Sequence, residues 1–182
     1  MRVIAGIYRG RILKEPISDE VRPTIDRVKE AVFGSLQFNI IDANVLDLFA
    51  GSGALGIECI SRGSKLVTFV DISSKSIDIV KGNLNSLSIK DGYEIYNCSC
   101  LDALKLVKNK YDIVFVDAPF DTNLATQAIE LMDSLEILND DAKIVWERKA
   151  GKKYPISLKN LKVDKVKKYG TIEVVFLSNN LI

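Results

Sequence analysis

Three glycines and one aspartate in the first half of the chain have the spacing of a nucleotide-binding loop. Gly51, Gly53 and Gly56 form a Gly-x-Gly-x-x-Gly pattern between a strand-like run and a helical run in VLDLFAGSGALGIE. Such glycines let the backbone turn tightly and approach a ligand at a helix N-terminus. Asp71 ends the next strand-like run, LVTFVD, where a carboxylate can accept hydrogen bonds from both ribose hydroxyls. On these residues alone, NAD and S-adenosylmethionine fit equally well.

Two further carboxylates bear on this choice. Asp47 lies inside the first strand, ahead of the glycines. A negative charge there suits an ammonium and a sulfonium, whereas the two phosphates of NAD need the helix N-terminus without an opposing charge. The predicted cosubstrate is therefore S-adenosylmethionine, with S-adenosylhomocysteine as the product. Asp102 follows the third strand, where it can accept from the adenine amino group; capping of the helix that begins at DALKLV is an equal alternative.

A second candidate site follows the strand-like run in IVFVDAPFDT, residues 113–122. Asp117 comes at the carboxyl end of the fourth strand, where open α/β sheets bind ligands, and we expect its carboxylate to be buried. Pro119 keeps Ala118 out of helical geometry, so the Ala118 carbonyl is a second acceptor. Phe120 can stack on a flat base. The stretch predicts a site for the exocyclic amine of a base; the alternative is a plain strand exit with Phe120 in the core.

The composition excludes several chemistries. The chain has no histidine, so it has no His general base, no Ser-His-Asp triad and no His-ligated metal. Cys59, Cys98 and Cys100 lack the Cys-x-x-Cys spacing of a zinc site and are interpreted as reduced core thiols. We therefore expect no metal cofactor.

The order of apolar runs predicts the fold class. From residue 45 onward, strand-like runs alternate with helical ones, which is typical of an α/β, Rossmann-like, mostly parallel sheet. LKVDKVKK, Gly170 and TIEVVFLS predict an antiparallel hairpin at the C-terminus. RPTIDRVKEAVFGSL predicts a helix with Val28, Val32 and Leu36 on one face.

The length of 182 residues fits one domain over residues 1–182, with residues 1–20 as a small N-terminal β-hairpin extension. The apolar runs are no longer than strands, and arginines interrupt the N-terminal one, so we expect neither a membrane span nor a signal peptide. The predicted location is the cytoplasm.

The net charge of +1 hides two basic ends around an acidic middle. Residues 1–29 hold seven Lys or Arg and four acids, and residues 151–170 hold seven Lys and one acid. A solvated surface would explain either stretch alone. Two basic segments that flank the predicted site favour a polyanionic partner.

Four segments together resemble the bacterial small-subunit ribosomal RNA guanine-N2 methyltransferases, the RsmD family. They are VLDLFAGSGALGIECISRGS, RPTIDRVKEAVFGSL, RVIAGIYRGRIL and VDAPF, and the similarity extends along nearly the whole chain. The resemblance implies a class I methyltransferase fold and methyl transfer from S-adenosylmethionine to the exocyclic N2 amine of a guanine in 16S ribosomal RNA. It also favours RNA within the small subunit or an assembly intermediate as the substrate. A monomer is the default expectation for the oligomeric state.

The resemblance and the motifs give three sets of candidate residues. The cofactor set is Asp47, Phe49, Gly51, Gly53, Asp71, Ile72, Asp102 and Thr24. The catalytic set, which would hold the guanine, is Asp117, Ala118, Pro119 and Phe120. The RNA-binding set is Arg9, Arg11, Arg22 and Arg27. Ala118 is a departure, because the family usually has a proline there; Asp117 thereby loses the backbone restriction that a following proline imposes.

Three other interpretations remain open on the sequence. An NAD-type oxidoreductase is disfavoured by Asp47 and by the lack of histidine. An S-adenosylmethionine-dependent amino-methyltransferase could instead act on another RNA, on adenine in DNA or on a protein side chain. An RNA-binding module without catalysis would use the glycine loop only as structure.

Overall fold

A computed structural model describes residues 1–16 and 24–179. Its strands form one sheet in the order β3-β2-β1-β4-β5-β7-β6. The strands are β1 (Asn44–Asp47), β2 (Leu66–Val70), β3 (Tyr93–Tyr96), β4 (Tyr111–Val116), β5 (Leu138–Lys149), β6 (Leu161–Tyr169) and β7 (Ile172–Asn179). The helices in the described ranges are α1 (Thr24–Leu36), α2 (Ala54–Ser61), α3 (Ser74–Ser86), α4 (Cys100–Leu106) and α5 (Leu124–Ser134).

The pairing of the strands confirms the predicted mostly parallel sheet with an antiparallel C-terminal hairpin. Strands β3, β2, β1, β4 and β5 are parallel, whereas β7 is antiparallel to both β5 and β6. Gly170 makes the turn between β6 and β7 at φ +61°. Because β1 and β4 are neighbours, the glycine loop and the segment after Val116 leave the sheet at the same edge.

Alternation along the strands places one apolar cluster on each face of the sheet. Val45 and Phe115 face α1, α2 and α3, whereas Leu46 and Val114 face α4 and α5. The predicted face of α1 is confirmed, since Val28, Val32 and Leu36 are buried in the first cluster.

The N-terminal segment folds back on itself, as predicted, through an antiparallel bridge between Arg2 and Ile12. It packs against α2. A Cβ at Gly6 would lie 1.8 Å from the Ser61 carbonyl oxygen, so the side-chain-free backbone permits this approach. The single-domain assignment for residues 1–182 stays a prediction.

Strand β5 is longer than the sequence predicts. It begins at Leu138, four residues before the apolar run at Ala142, and its pairing with β4 shifts register between Tyr111 and Ile113. The intervening polar residues, with Asp141 at φ +61°, bulge away from the ladder.

Two observations concern the membrane and the thiols. In the described ranges, no helix combines the length and the apolar character needed to span a bilayer. Cys59 and Cys100 are buried free thiols as expected, but Cys98 is only half-buried.

Candidate active site

The glycine loop connects β1 to α2 by way of left-handed backbone. Gly51 and Gly53 have φ values of +56° and +78°, and Gly53 caps the N-terminus of α2. Gly56 serves packing instead, because a Cβ there would lie 2.3 Å from Phe69 Cε1. A Cβ at Gly51 would meet nothing within 4 Å. The loop thus presents backbone to open space at Gly51, as a ligand-binding turn requires.

Asp47 and Asp71 flank this loop and are tied to it. The Gly51 amide donates to Asp71 Oδ2 at 2.9 Å, and the Ser73 amide donates to Asp71 Oδ1 at 2.8 Å. The Gly56 amide donates to Asp47 Oδ2 at 3.1 Å. A carboxylate oxygen has more than one acceptor direction, so both residues keep acceptor capacity for a ligand.

The electrostatics of Asp47 are unusual. Its side chain is 1% exposed, and burial raises its pKa to about 7 against the opposing hydrogen bond from Gly56. The negative charges of Asp117 and Asp71 raise the pKa further. A buried carboxylate near two other carboxylates is stabilised when a cation binds beside it, which is the property expected of an ammonium-binding group.

Ile72 and Asp102 lie beside the ends of β2 and β3. Ile72 is 75% exposed, so an apolar surface is available next to Asp71. Asn97 donates from Nδ2 to the carbonyls of Asp71 and Ile72 at 2.9 and 3.2 Å and fixes this turn. The sequence interpretation missed Asn97, although an amide side chain directly after a predicted strand is a signal for such a bond.

The alternative role of Asp102 as a helix cap is wrong. Ser99 is the N-cap of α4, and its Oγ accepts from the Asp102 amide at 3.1 Å. Asp102 lies in the first turn and accepts from Ser99 Oγ at 2.7 Å, while remaining exposed. Ser99 is preferred because its short side chain lies one residue before the first helical amides, where a cap must be.

The stretch after β4 is a fixed loop with an exposed carboxylate. Asp117 is exposed, so the expected burial of its carboxylate is wrong; Val116 ends the buried run one residue earlier. Ala118 is buried, Pro119 is exposed and Phe120 is half-buried. Thr122 donates to the Pro119 carbonyl from its amide at 3.2 Å and from Oγ1 at 2.8 Å, which holds the turn in place.

A cavity of about 580 Å³ lies between α1 and this edge of the sheet. It joins Phe49 and Gly51 of the glycine loop to Asp117. Its remaining polar lining includes Asp26 and Lys29 of α1, Glu15, Ser52 and Glu147. The lining does not include Asp71, Ile72 or Asp102, which lie on the other side of the glycine loop. The predicted site therefore has two parts, which meet at the glycine loop.

A buried ion cluster supports the part of the cavity wall that contains Lys29. Glu58 of α2 accepts from the amides of Ile4 and Ala5 at 2.8 and 3.0 Å. Lys29 Nζ lies 3.1 Å from Glu58 and Arg62 Nε lies 2.8 Å from it. Burial alone would raise the pKa of Glu58, but the Ile4 amide and the two cations together hold it below its ordinary value. Removing one partner of such a cluster leaves a buried uncompensated charge, so the wall depends on all of them.

The chain matches known methyltransferases along most of its length. Residues 1–178 match the family described as Conserved hypothetical protein 95. "Ribosomal RNA small subunit methyltransferase D" of Haemophilus influenzae is 43% identical over 155 residues, which are 84% of this chain and 80% of that protein. The chain belongs to the RsmD methyltransferase family.

Further similar proteins agree with this assignment in sequence and in structure. "Ribosomal RNA small subunit methyltransferase D" of Escherichia coli K12 is 37% identical, over 81% of this chain and 74% of that protein. A solved structure named "Putative methyltransferase yhhF from Escherichia coli" superposes with a TM-score of 0.89 at 30% identity and covers 100% of this chain and 99% of that one. The predicted class I methyltransferase fold, enzyme class and family are confirmed.

The arginines that are predicted to bind RNA have different surroundings. Arg9 and Arg27 are exposed. Arg11 is also exposed and donates from Nη2 to the Ser86 carbonyl at 2.8 Å. Arg22 lies outside the described residues, and Thr24 is the first residue of α1. Their roles in binding stay predictions.

In the described ranges, no group of three or more His, Cys, Asp or Glu side chains is arranged to hold a metal ion.

Proposed function

We propose that this protein transfers a methyl group from S-adenosylmethionine to the exocyclic N2 amine of a guanine in 16S ribosomal RNA. The observation that carries the proposal is the shared cavity. The glycine loop, through Phe49 and Gly51, and the acceptor carboxylate of Asp117 open into the same space. A group bound at the loop and an amine held by Asp117 would therefore be neighbours.

The residues around the glycine loop suit S-adenosylmethionine. Asp47 is buried with a raised pKa, so it gains from an ammonium beside it. Asp71 can accept from ribose hydroxyls, and exposed Ile72 offers an apolar surface to a purine ring. Asp102 is exposed and can accept from an adenine amine. Bound S-adenosylmethionine supplies an electrophilic methyl group on a sulfonium, so no metal is needed.

The acceptor residues would orient a poor nucleophile. The lone pair of the guanine amine is delocalised into the ring, and hydrogen bonds from its two N–H groups to Asp117 and the Ala118 carbonyl would favour pyramidalisation and aim it at the methyl carbon. Phe120 would stack on the base. Because Asp117 is exposed, the proton that leaves the amine can pass to water.

The proposed substrate follows from the family. Relatives named ribosomal RNA small subunit methyltransferase D are 43% and 37% identical to this chain. The exposed Arg9 and Arg11, together with the lysines of β6, provide basic surface for RNA. We propose that a cytoplasmic monomer acts on the small subunit or an assembly intermediate, with the target base in a loop or flipped out of its helix.

The experiment is methyl transfer from tritiated S-adenosylmethionine. Small subunits and naked 16S RNA from a strain lacking the endogenous enzyme are offered in parallel with DNA, followed by digestion to nucleosides. Label in N2-methylguanosine from the RNA is expected. Label in adenosine, DNA or protein would overturn the proposal, and label from particles alone would identify the assembled substrate.

A further inference from the structure

We propose that Glu147 accepts a hydrogen bond from N1–H of the target base and so selects guanine. This inference rests on the function proposed above and concerns the same cavity. Strand β5 is parallel to β4, with Val116 opposite Trp146. The next residues along the two strands are Asp117 and Glu147, and both line the cavity. Adjacent strands lie about 4.8 Å apart, so two carboxylates stand side by side in one wall.

The sheet assigns Glu147 to the cavity face. Val145, two residues earlier, lines the cavity, as does Val174, which pairs with Glu147 from β7. The neighbouring Arg148 points to the opposite face, where its guanidinium lies 4.9 Å from the Trp146 ring centroid and 3.0 Å from Glu173. Glu147 therefore faces the cavity, whereas Arg148 faces the other side of the sheet.

The other acids of the cavity have different positions. Glu15 pairs with the N-terminal ammonium of Met1. Asp26 lies in the first turn of α1, where a negative charge interacts favourably with the helix dipole. Glu147 differs from both because it lies on β5, inside the sheet, and is adjacent to Asp117 at the end of β4.

Two adjacent carboxylates match the hydrogen-bonding edge of one base. Guanine presents N1–H and the N2 amine side by side, and both are donors. Adenine and cytosine present a lone pair beside their amine, which would face a carboxylate and leave both acceptors unpaired. A carboxylate only accepts, so the pair favours a donor-donor edge. A flipped base is commonly read through this Watson–Crick edge, and a site built for a donor rejects an analogue that lacks it.

The test compares guanine with 2-aminopurine at the target position of the same RNA. 2-Aminopurine keeps the N2 amine but has a lone pair at N1. Wild-type protein should methylate it more slowly than guanine, by on the order of a hundredfold. In Glu147→Gln, the amide can donate to that lone pair, so the preference for guanine should fall by about tenfold or more while S-adenosylmethionine affinity is unchanged.

Glu173→Gln is the matched control, because Glu173 lies in the neighbouring strand, pairs with Arg148 and faces away from the cavity. It should keep the wild-type base preference. An unchanged preference in a folded Glu147→Gln variant would overturn the inference. Should that variant fail to fold, equal wild-type rates on guanine and 2-aminopurine would overturn it as well. Failure of the proposed function looks different, since wild-type protein would then not methylate guanine at all.

Discussion

The donor side and the acceptor side of the glycine loop are built in different ways. The donor side comprises residues 47–53, 71–73 and 97–102, and its carboxylates are fixed by nearby backbone amides: Asp71 by Gly51 and Ser73, and Asp47 by Gly56. The acceptor side comprises residues 117–122 and the cavity beneath α1. Its exposed Asp117 faces walls that come from the N-terminal segment, α1, β5 and β7.

This difference separates two tasks. In the proposed function, the donor side would bind the same small molecule in every catalytic cycle, and local hydrogen bonds would preorganise it before binding. The acceptor side would have to admit a base that belongs to a large polyanion, which agrees with its exposure to solvent and its assembly from distant parts of the chain. Variants on the donor side should therefore change cofactor affinity, and variants on the acceptor side should change turnover or RNA binding.

The largest effect is expected on the acceptor side. Asp117→Ala should reduce methyl transfer by about a hundredfold or more, because a positioned acceptor for the amine is lost, and should leave S-adenosylmethionine affinity unchanged. Single-turnover transfer of tritiated methyl and calorimetry measure the two quantities. Asp121→Ala is the control, since that side chain is 98% exposed in the same loop. Full activity of a folded Asp117→Ala would show that residues 117–120 are only a strand exit.

On the donor side, Asp71→Ala should weaken S-adenosylmethionine binding by about 1.5 to 3 kcal/mol, the range for hydrogen bonds to a charged group. Titration calorimetry should show this loss of affinity, and the unfolding temperature should be the same as that of the wild-type protein. Asp78→Ala, on the exposed side of α3, should bind normally. Equal affinities of the two variants would remove the ribose assignment and weaken the distinction between the two sides.

The pKa of Asp47 gives the donor side a pH dependence. Ionised Asp47 is the form that binds an ammonium, and its pKa is about 7, so its ionised fraction falls about tenfold for each pH unit well below 7. Affinity for S-adenosylmethionine should consequently decrease as the pH falls from 8 to 6. The ratio of wild-type to Asp47→Asn affinities isolates this contribution, because titration of the ligand amine is common to both proteins. A ratio that is constant with pH would contradict the assignment.

The smallest effect is expected at the outer surface of the acceptor side. Reversing Arg9 and Arg11 to glutamate should weaken RNA binding and reduce the slope of log K against log salt by about 0.7 to 0.9 per lost phosphate contact, without changing cofactor affinity. Because Arg11 also donates to Ser86, Arg9→Glu alone is the cleaner variant. Reversal of the exposed Lys105 and Lys108, near α4 on the opposite face, is the control. If the slope is the same in the wild-type protein and in both double variants, the N-terminal segment is excluded from the RNA interface.

The two sides also differ in how much the sequence predicts. The donor side follows from local patterns: the glycine spacing, and acids at the ends of buried strands. The error there concerned the cap of α4: the sequence interpretation places Asp102 at the start of the helix, whereas the helix begins at Cys100 and its N-cap is Ser99. On the acceptor side, the buried run of β4 ends at Val116 and Asp117 is exposed. Whether a residue at the end of a strand is covered depends on the assembled tertiary structure, which no local pattern encodes. The polar start of β5 was missed because Asn139 and Asp140 have the composition of a loop.

Glu58 could have been found, because a single acid within the apolar helix ALGIECIS requires a partner. Its partners, Lys29 and the amides of Ile4 and Ala5, lie about 30 and 54 residues away along the chain. Long-range pairing of this kind depends on the assembled tertiary structure.

Helix α2 is a short, straight helix that connects the glycine loop to the N-terminal segment. Its N-cap is Gly53 of the glycine loop, and its second half carries Glu58 and Ser61, which accept hydrogen bonds from amides of the N-terminal segment. Eight residues at 1.5 Å each make a rod of about 12 Å, too short to bend appreciably. Movements of the remaining loops therefore need not change the distance between the glycine loop and the N-terminal segment.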